Sequence, residues 1–557
     1  MSFKQDLEMY TPREEQQQTL DFIKKSLEDD PESKYFLLNL PVGIGKSHLA
    51  LMIIDYYKKN IDKFAKADII TATKILQDQY TDTYSSINNL KGKENYQCES
   101  YGCSCAEGME FSRLNKTKCD GCPYVIDREG FINGAVGMTN FYLYTLYALY
   151  MPKLLESRGS KILIVDEAHD FDDVMSNFIS IKITESVVKR LQFTNERQIL
   201  TRLKKVRTIA QYIDFLEFLE TEVAITMAAV DQAMGGRTRN PMMDKRGNKL
   251  SNLFGTRNLD SKMMKVITDL AQYQSKIEIF LKEYKQDPNN WVLESQYNDK
   301  TKQNELSLEP VWAYDYLEKY VFSQYDKVVL MSGTILNKRI FCELNGLDED
   351  KTVYYSIPSP FEIEKRKIIY MPLGKMSYAR KTETFKNYIP YLKKILARYS
   401  GDKGLIHTNS FELAGWIKKS VKDKRLIFHD SSNKDEVLKE HHKTDKPQVL
   451  VSPSMGTGVS LDDEAARFQV IAKTPYPSLA SKKNKLRKQN NPEWYAWKSV
   501  SGLIQMSGRA VRSKTDYADT IIIDGSFNDL MNYSGKYFPA WFKQAVKRVN
   551  VKSENLN

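Results

Sequence analysis

Short runs rich in Val, Ile and Leu punctuate the first part of the chain: YFLLNL at 35, ADIITAT at 67, KILIVDEAH at 161 and KVVLMSGT at 327. Each is bounded by turn residues or a polar switch and ends in small polar or acidic side chains, the pattern of a parallel strand buried on both faces. A second set follows: KGLIHTNS at 403, RLIFHD at 425, QVLVSPS at 448, RFQVIAK at 467 and DTIIIDG at 519. Two doubly wound α/β domains with parallel sheets are therefore expected in tandem, with the functional residues at the carboxyl ends of strands. Between VDEAHD and MSGT the period changes. Ile209, Tyr212, Leu216, Leu219 and Val223 recur at helical spacing, as do Val266, Leu270, Tyr273, Ile277, Phe280 and Tyr284. Amphipathic helices are predicted there, joined by the basic, Gly-rich loop GGRTRNPMMDKRGNKLSNLFG. The chain divides into a first α/β domain in three pieces (1–92, 131–179, 326–355), a cysteine-rich insertion (93–130), a helical insertion (180–325) and a second α/β domain (356–557).

A length of 557 residues exceeds what one core holds, which agrees with several domains. The net charge of +11 fits a polyanionic partner. Taken alone, the basic runs KRLQFTNERQILTRLKKVR and SKKNKLRK read as solvated helix faces or loops. The N-terminus carries no apolar signal core and no long apolar run occurs, so cytoplasmic residence without membrane contact is expected. Five of the six cysteines lie within YQCESYGCSCAEGMEFSRLNKTKCDGCPY, while Cys342 reads as a packing residue. In a reducing compartment such a cluster points to thiolate ligands rather than disulfides. Four thiolates suit either a 4Fe–4S cluster or zinc, and spacing alone leaves both open.

The chemistry is most specific in NLPVGIGKSHLA, a Gly-rich turn between a strand and a helix. Its backbone N–H groups from Gly43 through Ile44, Gly45 and Lys46 to Ser47 can cradle phosphates at a helix N-terminus, with Lys46 reaching the β and γ phosphates and Ser47 holding Mg²⁺. The full phosphate-loop pattern would put a glycine where Leu40 stands, whereas P-x-G-x-G-K-S is the form expected of a helicase motor. In ILIVDEAHD a strand ends on Asp166 and Glu167, one acid for Mg²⁺ and one to orient water, and ATP hydrolysis follows from the combination. In LIQMSGRAVRS, Gln505, Arg509 and Arg512 share a helix face and can meet the γ phosphate across a cleft.

The order of these motifs resembles that of superfamily 2 helicases, and specifically the XPD/DinG family, in which the two α/β domains are RecA-like motors. The similarity runs through TPREEQQQ, LPVGIGKS, ITATKILQDQ, VDEAHD, MSGT, HTNS, MGTGVS and QMSGRAVR, and the insertions stand where the family keeps its iron–sulfur and arch domains. The resemblance implies a monomeric, DEAH-box DNA helicase of replication, repair or recombination. It would hydrolyse ATP and move 5′ to 3′ on single-stranded DNA and forks. A DNA-stimulated ATPase that remodels nucleic acid, or acts on R-loops or RNA–DNA hybrids, is the alternative. Arg13 and Gln16 would lie on the adenine side, His48 beside the phosphate turn, and His169 would couple the nucleotide to Ser332 and Thr334. Thr71, Thr73, Gln77, Thr408, Asn409 and Ser410 would face DNA, with Thr457 and Ser460 less firmly placed because MGTGVSLDDEAARF departs from the family's acidic, aromatic form. Cys98 and Cys122 match the first and last cluster ligands and Cys119 pairs with Cys122. Cys103 and Cys105 compete for the second place, with Cys105 preferred, and the resemblance favours iron–sulfur over zinc. Tyr101, Phe111, Phe141 and Tyr142 are candidate base-stacking residues, an aromatic at such a place being more often core. With the adenine-side motif near residue 13, no nuclease domain is expected. The setting implied is bacterial or that of a virus-infected cell, and no loading partner is indicated.

Overall fold

The computed structural model describes residues 3–550 apart from 115–120, 236–258, 299–302, 431–432, 456–460, 462, 512 and 514. Its first sheet is wholly parallel, with strands in the order Thr352–Ser356, Tyr35–Asn39, Lys327–Ser332, Ser160–Asp166, Lys66–Thr71, Val136–Asn140 and Asn88–Asn89. The second, also parallel, runs Leu426–Phe428, Val449–Ser452, Gly404–His407, Phe468–Ile471, Asp519–Ile522, Ile368–Tyr370 and Val546–Arg548. Helices cover both faces of a parallel sheet, so its strands are buried throughout and read as unbroken apolar runs. These are two RecA-like α/β domains in tandem.

Register aligns the chemistry. Asn39 pairs with Ser332, and Thr71 pairs with both Asp166 and Asn140. The phosphate turn, the acid pair, Ser332 and Thr71 thus leave the first sheet from one edge, the place where open α/β sheets bind ligands.

In the segment after the acid pair, the long helices Ile209–Gly235 and Leu259–Gln286 form and pack on each other. Tyr212, Leu216, Leu219, Val223, Leu270, Ile277 and Phe280 are buried there, as the spacing requires. The helices are joined by an antiparallel sheet absent from the sequence reading, in which Gln303–Pro310 pairs with both Ile181–Thr184 and Trp291–Asn298. The helix Leu259–Gln286 also touches Cys105–Leu114 of the cysteine-rich insertion. No helix among the described residues is long and apolar enough to cross a membrane.

The two basic runs part company. Lys189, Lys204 and Lys205 lie on the surface, as read from sequence. In SKKNKLRK, however, Lys483 and Arg487 are only 8% and 2% exposed. Their helix, Lys482–Asn490, is docked against the first domain and the antiparallel sheet, and this corrects the reading of that run as a solvated face.

Candidate functional site

The turn Leu40–Gly45 leaves the Tyr35–Asn39 strand and enters the helix Lys46–Asn60. Gly43 and Gly45 have φ of 85° and 82°, a conformation costly for any side chain. A Cβ on Gly45 would also stand 2.5 Å from Gln16 Nε2. Gln16 Nε2 donates to the Gly45 carbonyl (2.8 Å), its Oε1 accepts from Arg13 N (2.8 Å), and the Arg13 guanidinium donates to the Gly43 carbonyl. Arg13 and Gln16 therefore brace the turn from outside. His48 faces away from it, packed against Tyr10 and Tyr84.

Lys46 Nζ donates to Glu167 Oε1 at 2.8 Å and lies 3.9 Å from Asp166 Oδ1. Tyr80, which sequence reading missed, donates to Asp166 Oδ2 at 3.0 Å. Its only signal is its position: three residues beyond buried Gln77 on the helix Lys74–Thr83, it shares that inward face. Glu167 has φ of 58°, strained for a residue with a Cβ, and its N–H donates to Asp166 Oδ1 (3.0 Å). Burial pushes the Asp166 carboxyl up, against the pull of Lys46. Burial pushes Glu167 the same way, but Lys46 chiefly, by charge and hydrogen bond, outweighs it and brings Glu167 down to about 2.

From this pair a polar chain crosses to the second domain. His169 Nδ1 lies 3.4 Å from Glu167 Oε2 and hydrogen-bonds Ser332 Oγ at 2.8 Å. Ser332 Oγ lies 3.2 Å from Thr334 Oγ1, which accepts from Gln505 Nε2 at 2.9 Å. Gly43, Gly45, Lys46, Ser47, Asp166, Glu167, Gln505 and Arg509 line one cavity of about 720 Å³ between the two domains. The helix Pro492–Ser507 ends before Arg509, which corrects the expected shared helix face: Gln505 comes from the last helical turn and Arg509 from the loop after Gly508. A cleft with backbone N–H groups and a lysine on one wall, acids at its floor and an arginine on the opposite wall suits a nucleoside triphosphate.

Two family models match: the Helicase C-terminal domain over residues 395–545, and the Type III restriction enzyme, res subunit, over residues 9–195. A probable ATP-dependent helicase of Methanocaldococcus jannaschii is 23% identical over 594 residues, covering 88% of this chain and 89% of the relative. A solved XPD helicase covers 97% of this chain and 99% of its own, with a TM-score of 0.64 at 15% identity. S. tokodaii Xpd4 covers 97% and 100%, with a TM-score of 0.57 at 15% identity. The fold is that of an XPD/DinG-like superfamily 2 helicase.

Within this helicase fold several residues expected to face DNA are occupied elsewhere. Gln77 is fully buried, donating to the Leu90 carbonyl (2.9 Å) and Asn89 and accepting from Asn140 Nδ2 (3.1 Å), so it bolts the sheet edge and presents no surface to a strand. Thr71 and Thr408 are also fully buried. Thr73 and Ser410 accept from Leu76 N and Leu413 N (3.2 Å each), capping equivalent helices after a strand in each domain. Asn409, at φ of 49°, donates to the Lys473 carbonyl. Phe141 is buried 4.6 Å from Phe171, whereas Tyr142 is 65% exposed beside Phe178, and Tyr101 is partly exposed. Thr457, Ser460, Arg512, Cys119 and the Phe111 side chain lie outside the described residues.

Four described cysteines lie around the starts of two helices. Cys98 and Cys103 pair across two short strands, Cys105 opens the helix Cys105–Leu114, and Cys122 precedes Pro123–Asn133. Cys105 and Cys122 Sγ are 3.4 Å apart, and burial with the Cys122 hydrogen bond pushes the Cys105 thiol up to about 12. A Cβ on Gly108 would stand 2.4 Å from Cys98 Sγ, so only glycine admits that sulfur. Among the described residues no group of three or more His, Cys, Asp or Glu side chains is set to hold a metal. Cys342 is buried at 2% exposure, as expected of a packing residue.

Proposed function

We propose that the chain is an ATP-dependent, DEAH-box DNA helicase that moves 5′ to 3′ on single-stranded DNA and opens duplexes at forks. The observation that carries this reading is the unbroken chain Lys46–Glu167–His169–Ser332–Thr334–Gln505, which ties a phosphate turn in one domain to a glutamine in the other. Lys46, now held by two acids, would pass to the β and γ phosphates when nucleotide enters. Glu167 would then be free to orient water and accept its proton, with its low pKa relaxing as Lys46 leaves. Arg509, with Arg512, would stabilise charge on the transferred phosphoryl group, and Gln505 would report its presence to the second domain. Ser47 and Asp166 line the cavity as an oxygen pair suited to Mg²⁺, which when bound would neutralise charge on the phosphates. Thr73 and Ser410, half-buried helix caps whose hydroxyls can accept from the helix and still donate, would face the DNA backbone, and exposed Tyr142 would stack an unpaired base.

Cys98, Cys105, Cys119 and Cys122, with Cys103 competing for the second place, would hold a 4Fe–4S cluster, zinc being the alternative. The all-sulfur donor set, three of its members buried, fits such a group in kind. When bound it would rigidify the insertion that touches the long helix Leu259–Gln286.

The test is ATP-driven strand separation on duplexes with a single-stranded 5′ or 3′ tail. Unwinding confined to the 5′ tail is expected. Unwinding only from the 3′ tail overturns the polarity, and DNA-stimulated ATP turnover without separation makes the protein a remodelling ATPase. Anaerobically purified protein should be brown and contain iron, and a colourless zinc protein overturns the cluster.

A further inference from the structure

Seven residues before Gln505, about 10 Å along the same helix, a second set of charges joins the two domains. Helix Pro492–Ser507 carries Lys498, whose Nζ donates to Asp173 Oδ2 at 2.8 Å. From the docked helix Lys482–Asn490, Arg487 Nη1 reaches Asp172 Oδ2 at 3.7 Å and Asp173 Oδ1 at 3.6 Å. Both aspartates stand in the first turn of Phe171–Ile179, the helix entered directly from the acid pair. The Arg487 guanidinium also donates to the Val311 carbonyl and lies over Trp312 and Trp494 at 5.0 and 5.3 Å, one ring from each side of the boundary. Beside it, Trp497 Nε1 donates to the Ile335 carbonyl at 2.9 Å, just past Thr334.

A buried guanidinium that loses its partners is left as an uncompensated charge, so such a group can hold the elements around it in one arrangement even where it adds little stability. We propose that Arg487 and Lys498, clasped to Asp172 and Asp173, are positioning residues that fix the register of the helix delivering Gln505 and Arg509 to the nucleotide. The clasp touches no phosphate and acts through Arg509. This rests on the nucleotide-cleft reading above, which stands or falls separately on whether the wild-type protein hydrolyses ATP and Arg509→Ala impairs it.

The test is steady-state ATPase of Lys498→Met, Arg509→Ala and the double variant, with melting temperatures and KM for ATP. Misplacing Arg509 should lower kcat of Lys498→Met about tenfold, leaving KM within about twofold. In the double variant the two losses should not multiply, since Lys498 acts through a side chain already gone. Asp173→Asn, an isosteric change, should behave as Lys498→Met does. Combining Asp173→Asn with Lys498→Met removes both charges and should recover several-fold of the activity. Losses that multiply with Arg509→Ala, an unchanged kcat in a folded Lys498→Met protein, or a fall explained by the melting temperature alone would each overturn the clasp.

Discussion

Two acid pairs lie six residues apart on one stretch of chain, Asp166–Glu167 and Asp172–Asp173. In each, burial drives one carboxyl up while nearby cations pull the other down: Lys46 chiefly for Glu167, Lys498 and Arg487 for Asp173. By titration they are twins. Their surroundings differ. Asp166 and Glu167 line a cavity with strained backbone at Glu167, and their cation is a lysine suited to binding something else. Asp172 and Asp173 are matched by cations of another domain, one of them 2% exposed and wedged between tryptophans. Shifted carboxyls mark both a reaction centre and a joint, and only the space in front of them tells the two apart.

The comparison is broken most directly at Lys46. Lys46→Ala should cut ATP turnover about 10³-fold or more, because the phosphates lose their charged donor in a closed site. Binding to single-stranded DNA, followed by fluorescence anisotropy, should stay within about threefold, since Thr73, Ser410 and Tyr142, proposed to meet the strand, do not line the cleft. Retained unwinding would remove the cleft from the mechanism altogether.

Isosteric amides at the two lowered acids sharpen it next. Glu167→Gln should lower kcat about 10²-fold while ATP still binds, because an amide holds the shape but takes no proton. Asp173→Asn should cost only about tenfold, through geometry. Equal losses at the two positions would mean that the pairs are not functionally distinct. Cys122→Ser extends the contrast to a third buried group. Unwinding should fall at least about tenfold while ATP turnover persists, as loss of a proposed ligand would weaken the metal group proposed to rigidify the insertion. Measured iron and unwinding at wild-type levels would remove Cys122 from the ligand set.

The candidate nucleotide cleft was legible in sequence because its constraints are local. A phosphate turn needs Gly43, Gly45 and Lys46 in fixed spacing, and a strand ending in two acids announces itself. The apolar runs likewise marked the central strands of both sheets. The strands Asn88–Asn89, Val136–Asn140, Thr352–Ser356, Ile368–Tyr370 and Val546–Arg548, each at or next to a sheet edge, were not marked as strands, being short or, as at Gly137, Thr139 and Lys547, diluted in apolar signal. The Asp172–Asp173 joint was illegible for another reason. Its cations arrive more than three hundred residues later, Arg487 inside a run whose composition reads as solvent-facing and Lys498 ten residues beyond that run. Tyr80 and Gln77 show the same limit at short range: their partners, Asp166 and Asn140, are set by strand order, which no local pattern states.

Tyr80 offers the finest test of what makes the first pair a reaction centre. Its hydroxyl donates to Asp166 Oδ2, and Glu167 N donates to Oδ1, so both oxygens are oriented before any cation arrives. The ring is 2% exposed, and Tyr80→Phe should keep its packing while deleting one hydrogen bond to a carboxylate. Such a bond contributes about 1.5–3 kcal/mol, so the Mg²⁺ concentration for half-maximal ATPase should rise roughly tenfold. Saturating Mg²⁺ should restore kcat, and Mn²⁺ binding in the presence of a non-hydrolysable nucleotide should weaken in parallel. A lower kcat with an unchanged Mg²⁺ requirement would place Tyr80 in the support of the fold. Asp166 would then owe its orientation to the Glu167 N–H and the strand end alone, and would differ from Asp172 only in facing a cavity.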